Sequence, residues 1–282
     1  MNNIKLFLIA YTKDDENRKK AFYEACKKLD IDIVDVTLEN FDSLKIDNND
    51  LFYRVTNGIN AQNIEKILLT KYHPKTLYKN DFPFIPIWTF DANIMHQSKD
   101  VPIAKTIFIN SNSEEYLKKN TNELNGFPIV IKIINKSKGE GVLKADNFDD
   151  LKKIVNELVR TNQNYILREY VDSPGISYRS IVLGDKILVT YKIESVNKND
   201  FRSNADQTQR IRKKVDIKPD DALILIKAVN MLNTSFGAID FAYDENHKIK
   251  IFEVNFPCNF VPAQELSGID IAQEIMQYLI KK

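Results

Sequence analysis

Residues 4–11, IKLFLIAY, form an apolar run of strand length. The following DDENRKKAFYEACKKL places acids first and lysines last, the order that a helix dipole favours. IDIVDV and DLFYRV are further strand-length apolar runs, and AQNIEKILLTKY reads as helix. Strand and helix alternate, which predicts an α/β unit with a parallel sheet over the first ~85 residues. NDFPFIPIW, residues 80–88, resists helix because of its prolines and predicts a linker.

A second α/β unit is expected from VPIAKTIFI onward. Ser111 and Glu114 have capping-box spacing ahead of the helix EEYLKKNTNEL. PIVIKII predicts a strand, NKSKGEG a loop and GVLKA another strand. NFDDLKKIVNELVR predicts a helix opened by Asn147, and YILREYV a closing strand. The last third reads as antiparallel strands. SYRSIVLGDKILVTYKI predicts a hairpin around Gly184-Asp185, and PDDALILIKAVNML and IDIAQEIMQYLIKK predict helices.

Between those helices lies SFGAIDFAYDENHKIKIFEVN, an apolar hairpin carrying three oxygen ligands: Asp240, Glu253 and Asn255. Alternation puts Ile239, Phe241 and Tyr243 on one face and Ala238, Asp240 and Ala242 on the other. It also puts Ile249, Ile251, Glu253 and Asn255 together on one face. With the turn centred between Asn246 and His247, Asp240 stands opposite Glu253. An acid flanked by Ile and Phe is costly to bury unless something compensates it. Oxygen-only ligands suit magnesium. The alternative is a polar hairpin end paired to a nearby Lys or Arg.

Composition narrows the field. The 282 residues suggest two domains or three, and 43% hydrophobic content is enough for ordinary cores. Lys plus Arg number 40 and Asp plus Glu 39, so net charge implies no nucleic-acid partner. Cys26 and Cys258 are far apart and show no metal spacing, so a disulfide framework is not expected and a reducing compartment is. MNNIKLFLIAY shows no basic leader, and no segment reaches the length of a membrane span. The expected setting is cytoplasmic, without a membrane partner.

Other residues could carry chemistry. Lys132 sits among Ile129, Val130, Ile131, Ile133 and Ile134, an unusual place for an ammonium group, though at a sheet edge it could reach water. Gly139 and Gly141 in the loop after it would let backbone N–H groups approach a phosphate, or simply form a hairpin turn. The loop fits neither the P-loop nor the Rossmann pattern. Arg179 and Arg202, with Asn204 close by, offer donors suited to carboxylate and phosphate oxygens; a solvated surface role is the plain alternative. RIRKKV reads as a solvated strand face, and His73, His96 and His247 as ordinary residues.

The order of these features resembles the ATP-grasp fold, and within it the RimK-like branch of ligases that add glutamate to a ribosomal protein. PIVIKIINKSKGEGV is similar to the family's lid segment and REYV to its adenine hinge. DFRSN, IFEVN and SGIDIA are similar to its later signatures. The resemblance implies an α/β fold, α+β in its C-terminal part. A pre-grasp α/β domain would span residues 1–88, a small lid subdomain 89–170, and a metal- and substrate-binding subdomain 171–282. It implies that Lys132 and the backbone at Gly139 and Gly141 hold the phosphates of ATP. Glu169 and the main chain at Val171 would meet the adenine. Asp240, Glu253 and Asn255 would hold one or two magnesium ions, with manganese an alternative. Arg179, Arg202 and Asn204 would border the reacting groups. The chain differs from the family pattern in four places. No DK pair occurs in FPFIPIWTFDANIMHQSKD, Ser177 replaces an acid, KIES replaces an arginine pair, and Cys258 replaces a glycine.

The resemblance therefore implies an ATP-dependent carboxylate–amine ligase acting on a small molecule, a peptide or a protein tail. A homo-oligomer is compatible with the sequence. Rival functions are a peptide macrocyclase of the same fold, an ATP-grasp kinase, and a nucleotide-binding protein without chemistry.

Overall fold

The computed structural model describes residues 4–79, 101–109, 111–134, 141–173, 175–196 and 210–282. The expected linker at 80–88, together with His96, Gly139, Arg202 and Asn204, lies outside these residues.

The N-terminal run folds as expected. Strands β1 (Lys5–Ile9), β2 (Asp32–Asp35) and β3 (Leu51–Arg54) form a parallel sheet in the order β2-β1-β3. Helices α1 (Glu16–Leu29) and α2 (Ile59–Tyr72) cover opposite faces. The central strand is buried on both sides, as parallel sheets require. Leu6 and Leu8 pack with Phe22, Ala25 and Cys26 of α1. Phe7 and Ile9 pack with Ile64 and Leu68 of α2.

A four-stranded antiparallel sheet follows, in the order β4-β7-β5-β6: β4 (Thr106–Ile109), β5 (Ile129–Ile133), β6 (Val142–Ala145) and β7 (Tyr165–Glu169). Helices α3 (Glu114–Glu123) and α4 (Phe148–Arg160) cover one face through Leu117, Leu151, Val155 and Leu158, against Ile129, Ile131 and Leu167. Asn147 caps α4, its side chain accepting from the Asp150 N–H at 2.9 Å. The capping box expected at Ser111 and Glu114 does not form. Ser113 is the N-cap of α3, and the Ser111 hydroxyl accepts from the Ser113 N–H instead. Glu114 is taken by Lys118 and Lys152 at 2.8 and 2.6 Å.

The C-terminal part is a five-stranded antiparallel sheet, β10-β9-β8-β11-β12, of β8 (Ile176–Leu183), β9 (Lys186–Ser195), β10 (Arg210–Val215), β11 (Phe236–Tyr243) and β12 (Ile249–Asn255). Gly184 turns the β8–β9 hairpin at φ 60°, where a Cβ would stand 2.8 Å from the Tyr278 ring. Helix α5 (Pro219–Asn230) covers one face of this sheet through Leu225 and Val229. The other face shares a core with α1, with α6 (Val261–Ser267), which the apolar pattern had not announced, and with α7 (Ile271–Lys281). Residues 101–104 run along β12: Ala104 N–H donates to Ile251 C=O at 3.0 Å and Ile251 N–H to Pro102 C=O at 2.8 Å. The segment leading into the four-stranded sheet is thereby anchored beside the carboxylate hairpin. Among the described residues, no helix is long and apolar enough to cross a membrane.

Candidate active site

Asp240 does stand opposite Glu253, but through a different local structure from simple alternation. Tyr243 pairs Ile249, Ala242 pairs Lys250 and Phe241 pairs Ile251; the register then shifts, so that Asp240 pairs Glu253 and Ala238 pairs Asn255. Phe252 is the extra residue of this bulge. Bulges re-aim the side chains that follow them. The expectation that Ile249, Ile251, Glu253 and Asn255 share a face is therefore wrong. Ile249 and Ile251 pack with Ile239 and Phe241 against α5, while Glu253 and Asn255 turn to the Asp240 face.

That face carries a row of polar groups across four strands. Tyr191 of β9 pairs Arg179 of β8, Arg179 pairs Asp240 of β11, and Asp240 pairs Glu253 of β12. Arg179 donates to both Asp240 oxygens, from Nε and Nη2, each at 2.5 Å. Asp240 is only 2% exposed. Burial pushes its carboxyl up against the pull of Arg179. Burial works against the Arg179 charge, but Asp240 overcomes this and holds the guanidinium firmly protonated. The Asn255 amide donates at 3.3 Å to Asp240 and at 3.4 Å to Glu253, tying the three residues into one patch.

Lys132 meets this patch from β5 of the four-stranded sheet. Its Nζ lies 2.6 Å from Glu253 Oε2, with both side chains about a fifth exposed (20% and 23%). Lys132 holds the Glu253 carboxyl well below the ordinary carboxylate range, against the effect of burial. Thus, in this structure, both acids have cationic partners, as the alternative to metal binding anticipated. Asp240, Glu253 and Asn255 nonetheless form an oxygen-only donor set of the kind a hard divalent cation accepts. Among the described residues, no group of three His, Cys, Asp or Glu side chains could hold a metal ion, so the third donor here is an amide.

The remaining expected residues sit around the junction of the two sheets. Glu169 is buried, and its Oε1 accepts from Lys105 N–H and from Lys250 Nζ, each at 2.8 Å. Its carboxylate thus ties the segment just before β4 to β12. The Val171 carbonyl accepts from Ser173 N–H at 2.8 Å. Gly141 closes the loop after β5 with φ 76°, its carbonyl accepting from Ile133 N–H. Ser177 is buried, and Lys192 pairs with Glu194 in the KIES strand. Cys26 and Cys258 are both buried free thiols. Arg168, which sequence reasoning passed over, is buried on the face of the four-stranded sheet that carries Lys132. The signal was there: like Lys132, it is a cation inside an apolar strand.

The model of the RimK-like ATP-grasp domain matches residues 92–279, more than half of the chain. The chain belongs to the RimK-like ATP-grasp family. A probable alpha-L-glutamate ligase of Legionella pneumophila (strain Corby) is 25% identical over 187 residues, 65% of this chain and 60% of that protein. The chain thus spans about 60% of the length of that curated relative. The ATP-grasp ligase PsnB, solved with a minimal precursor, Mg and ADP, superposes with a TM-score of 0.76 at 13% identity, covering 100% of this chain and 98% of that one. The macrocyclase MdnC of Microcystis aeruginosa MRC, bound with precursor peptide MdnA, gives 0.68 at 14% identity over 99% and 100% of the two chains. These likenesses confirm the ATP-grasp fold expected from the sequence.

Proposed function

We propose that this RimK-like ATP-grasp protein is an ATP-dependent carboxylate–amine ligase. The observation that carries it is the convergence of Lys132 from the lid sheet on Glu253, beside Asp240, Asn255 and Arg179. In this proposal Lys132, with the backbone at Gly139 and Gly141, grips the nucleotide phosphates, and the hinge at Glu169 and Val171 borders the base. Asp240, Glu253 and Asn255 hold magnesium. Bound ATP supplies a γ-phosphoryl group to a substrate carboxylate, releasing ADP. An amine then attacks the acyl carbon, phosphate leaves, and the amine loses a proton to give an amide. No nucleophilic side chain is required, in keeping with two buried cysteines.

Arg179, Arg202 and Asn204 stabilise the charge that moves onto phosphate and then onto the tetrahedral oxyanion. Arg179 is well prepared for this, because Asp240 fixes the plane of its guanidinium. The precursor complexes of PsnB and MdnC favour a peptide substrate. A ring-forming reaction on a precursor peptide is the second function we keep.

The test is a panel of carboxylate and amine pairs with ATP. Turnover should release ADP and phosphate and require both partners, and hydroxylamine should trap a hydroxamate. A stable phosphorylated alcohol would establish a kinase instead, and AMP formation would sink both. Amide or ester linkage within one precursor peptide would select the macrocyclase.

A further inference from the structure

Several arginines in this structure pair with carboxylates. Arg18 meets Asp15 at 2.8 Å, Arg54 meets Glu65 at 2.7 Å and Arg179 meets Asp240 at 2.5 Å. Arg168 differs. It is 6% exposed, yet no carboxylate among the described residues pairs with it. Its Nε donates to Thr106 Oγ1 at 3.0 Å, and the Thr106 hydroxyl donates onward to the Ala104 carbonyl at 2.7 Å. This relay fixes the guanidinium plane. Nη2 is left buried without a hydrogen-bond partner. A charged donor left unmade in a protein interior is costly, and native structures rarely tolerate it without a use.

Nor does the group escape by losing its charge. Burial lowers it to about 10, while Glu253 and Glu169 pull the other way, so it is a cation at neutral pH. Its position says which anion it awaits. Ile166 stands directly across from Lys132, and Arg168 lies two residues further along the same strand. Lys132 and Arg168 therefore share a face and are diagonal neighbours, within reach of one another for long side chains. That face is the one away from α3 and α4, whose contacts use Ile129, Ile131 and Leu167.

We propose that Arg168 binds a phosphate oxygen of the nucleotide through Nη2, beside Lys132. The inference rests on the ligase proposal and adds a residue to it. A planar guanidinium beside an ammonium group gives the site one donor of fixed direction and one point charge.

The test is calorimetric titration of the full chain with magnesium AMPPNP and magnesium ADP, and of adenosine by competition. Arg168→Met should weaken both magnesium nucleotides about tenfold or more, as expected for a lost charge-assisted hydrogen bond, and leave adenosine unchanged. Arg168→Lys should recover part of the loss. Unchanged nucleotide affinity in a folded Arg168→Met protein overturns the assignment. So does an equal loss for adenosine, which marks a packing role, and so does a rise confined to KM for the carboxylate, which puts the anion on the other substrate. If Arg168→Met fails to fold, Arg168→Lys and Thr106→Val carry the test: each should weaken AMPPNP and spare adenosine, and a parallel loss of both overturns the proposal. Wild-type protein that binds no magnesium nucleotide would sink the ligase function itself, whereas wild-type binding unaffected by Arg168→Met removes only this residue.

Discussion

Lys132 Nζ and Glu253 Oε2 lie 2.6 Å apart across the junction of two sheets, 121 residues apart in the chain. The two side chains are partners in this structure, and in our proposal each meets a different component of the magnesium nucleotide. Binding of magnesium and phosphate would exchange one ion pair for two charge-matched contacts, so neither side chain need be left unpaired at any stage.

Lys132→Ala should therefore weaken nucleotide binding. Nucleotide affinity should fall by about tenfold or more, the equivalent of roughly 1.5–3 kcal/mol for a hydrogen bond to a charged group. Both side chains are mostly buried, so loss of the pair also costs some stability. Calorimetric titration and a thermal melt on the same variant separate the two effects. A folded variant with wild-type affinity removes Lys132 from the site.

Asp240 behaves differently, because it is buried and holds Arg179 by two bonds. Asp240→Ala should destabilise the protein by about 3–5 kcal/mol, the usual cost of removing one partner from a buried pair. The double variant Asp240→Leu with Arg179→Met should regain part of that stability in urea titrations and still show no turnover. Recovery of turnover in the double variant would make the pair structural only.

Glu253→Gln keeps the shape of the site and removes one charge. ATP should raise the melting temperature of the wild-type protein only when magnesium is present, since a ligand at a hundred times its Kd stabilises by about 2.7 kcal/mol. Glu253→Gln should blunt that shift. Equal stabilisation by ATP in excess chelator would rule out the metal assignment.

The thiols give a pH prediction away from the chemistry. Burial raises Cys26 from 9.0 to about 11 and Cys258 from 9.0 to about 12. Both bind their proton more tightly in the folded state. Their contribution is present in full below pH 9.0 and is lost as the pH rises through the folded values. Denaturant midpoints of a Cys26→Ala, Cys258→Ala double variant should thus decline less between pH 9 and 11 than those of the wild type. Native wild-type protein should also resist thiol reagents at pH 8 and react only once unfolded.

Much of this protein was legible in its sequence, because local chemistry dictates it. Alternating apolar runs gave the parallel unit around β1 and the antiparallel strands of the last third. Asn147 announced the start of α4, and Gly184 the β8–β9 turn. Lys132, Asp240 and Glu253 stood out because a charge inside an apolar strand must be answered by something. The tertiary structure decided what answers it. Strand alternation has no term for an inserted residue, so only the β12 bulge could place Glu253 opposite Asp240 and turn Ile251 away. The Arg179–Asp240 pair depends on register between strands 61 residues apart. The Lys132–Glu253 pair depends on how one sheet docks beside another. Arg168 carried the same signal as Lys132 in the sequence, but a strand pattern cannot say which buried cation already has an anion. Only packing shows that Asp15, Glu65 and Asp240 each pair with an arginine, whereas no carboxylate among the described residues pairs with Arg168 and its Nη2 has no hydrogen-bond partner.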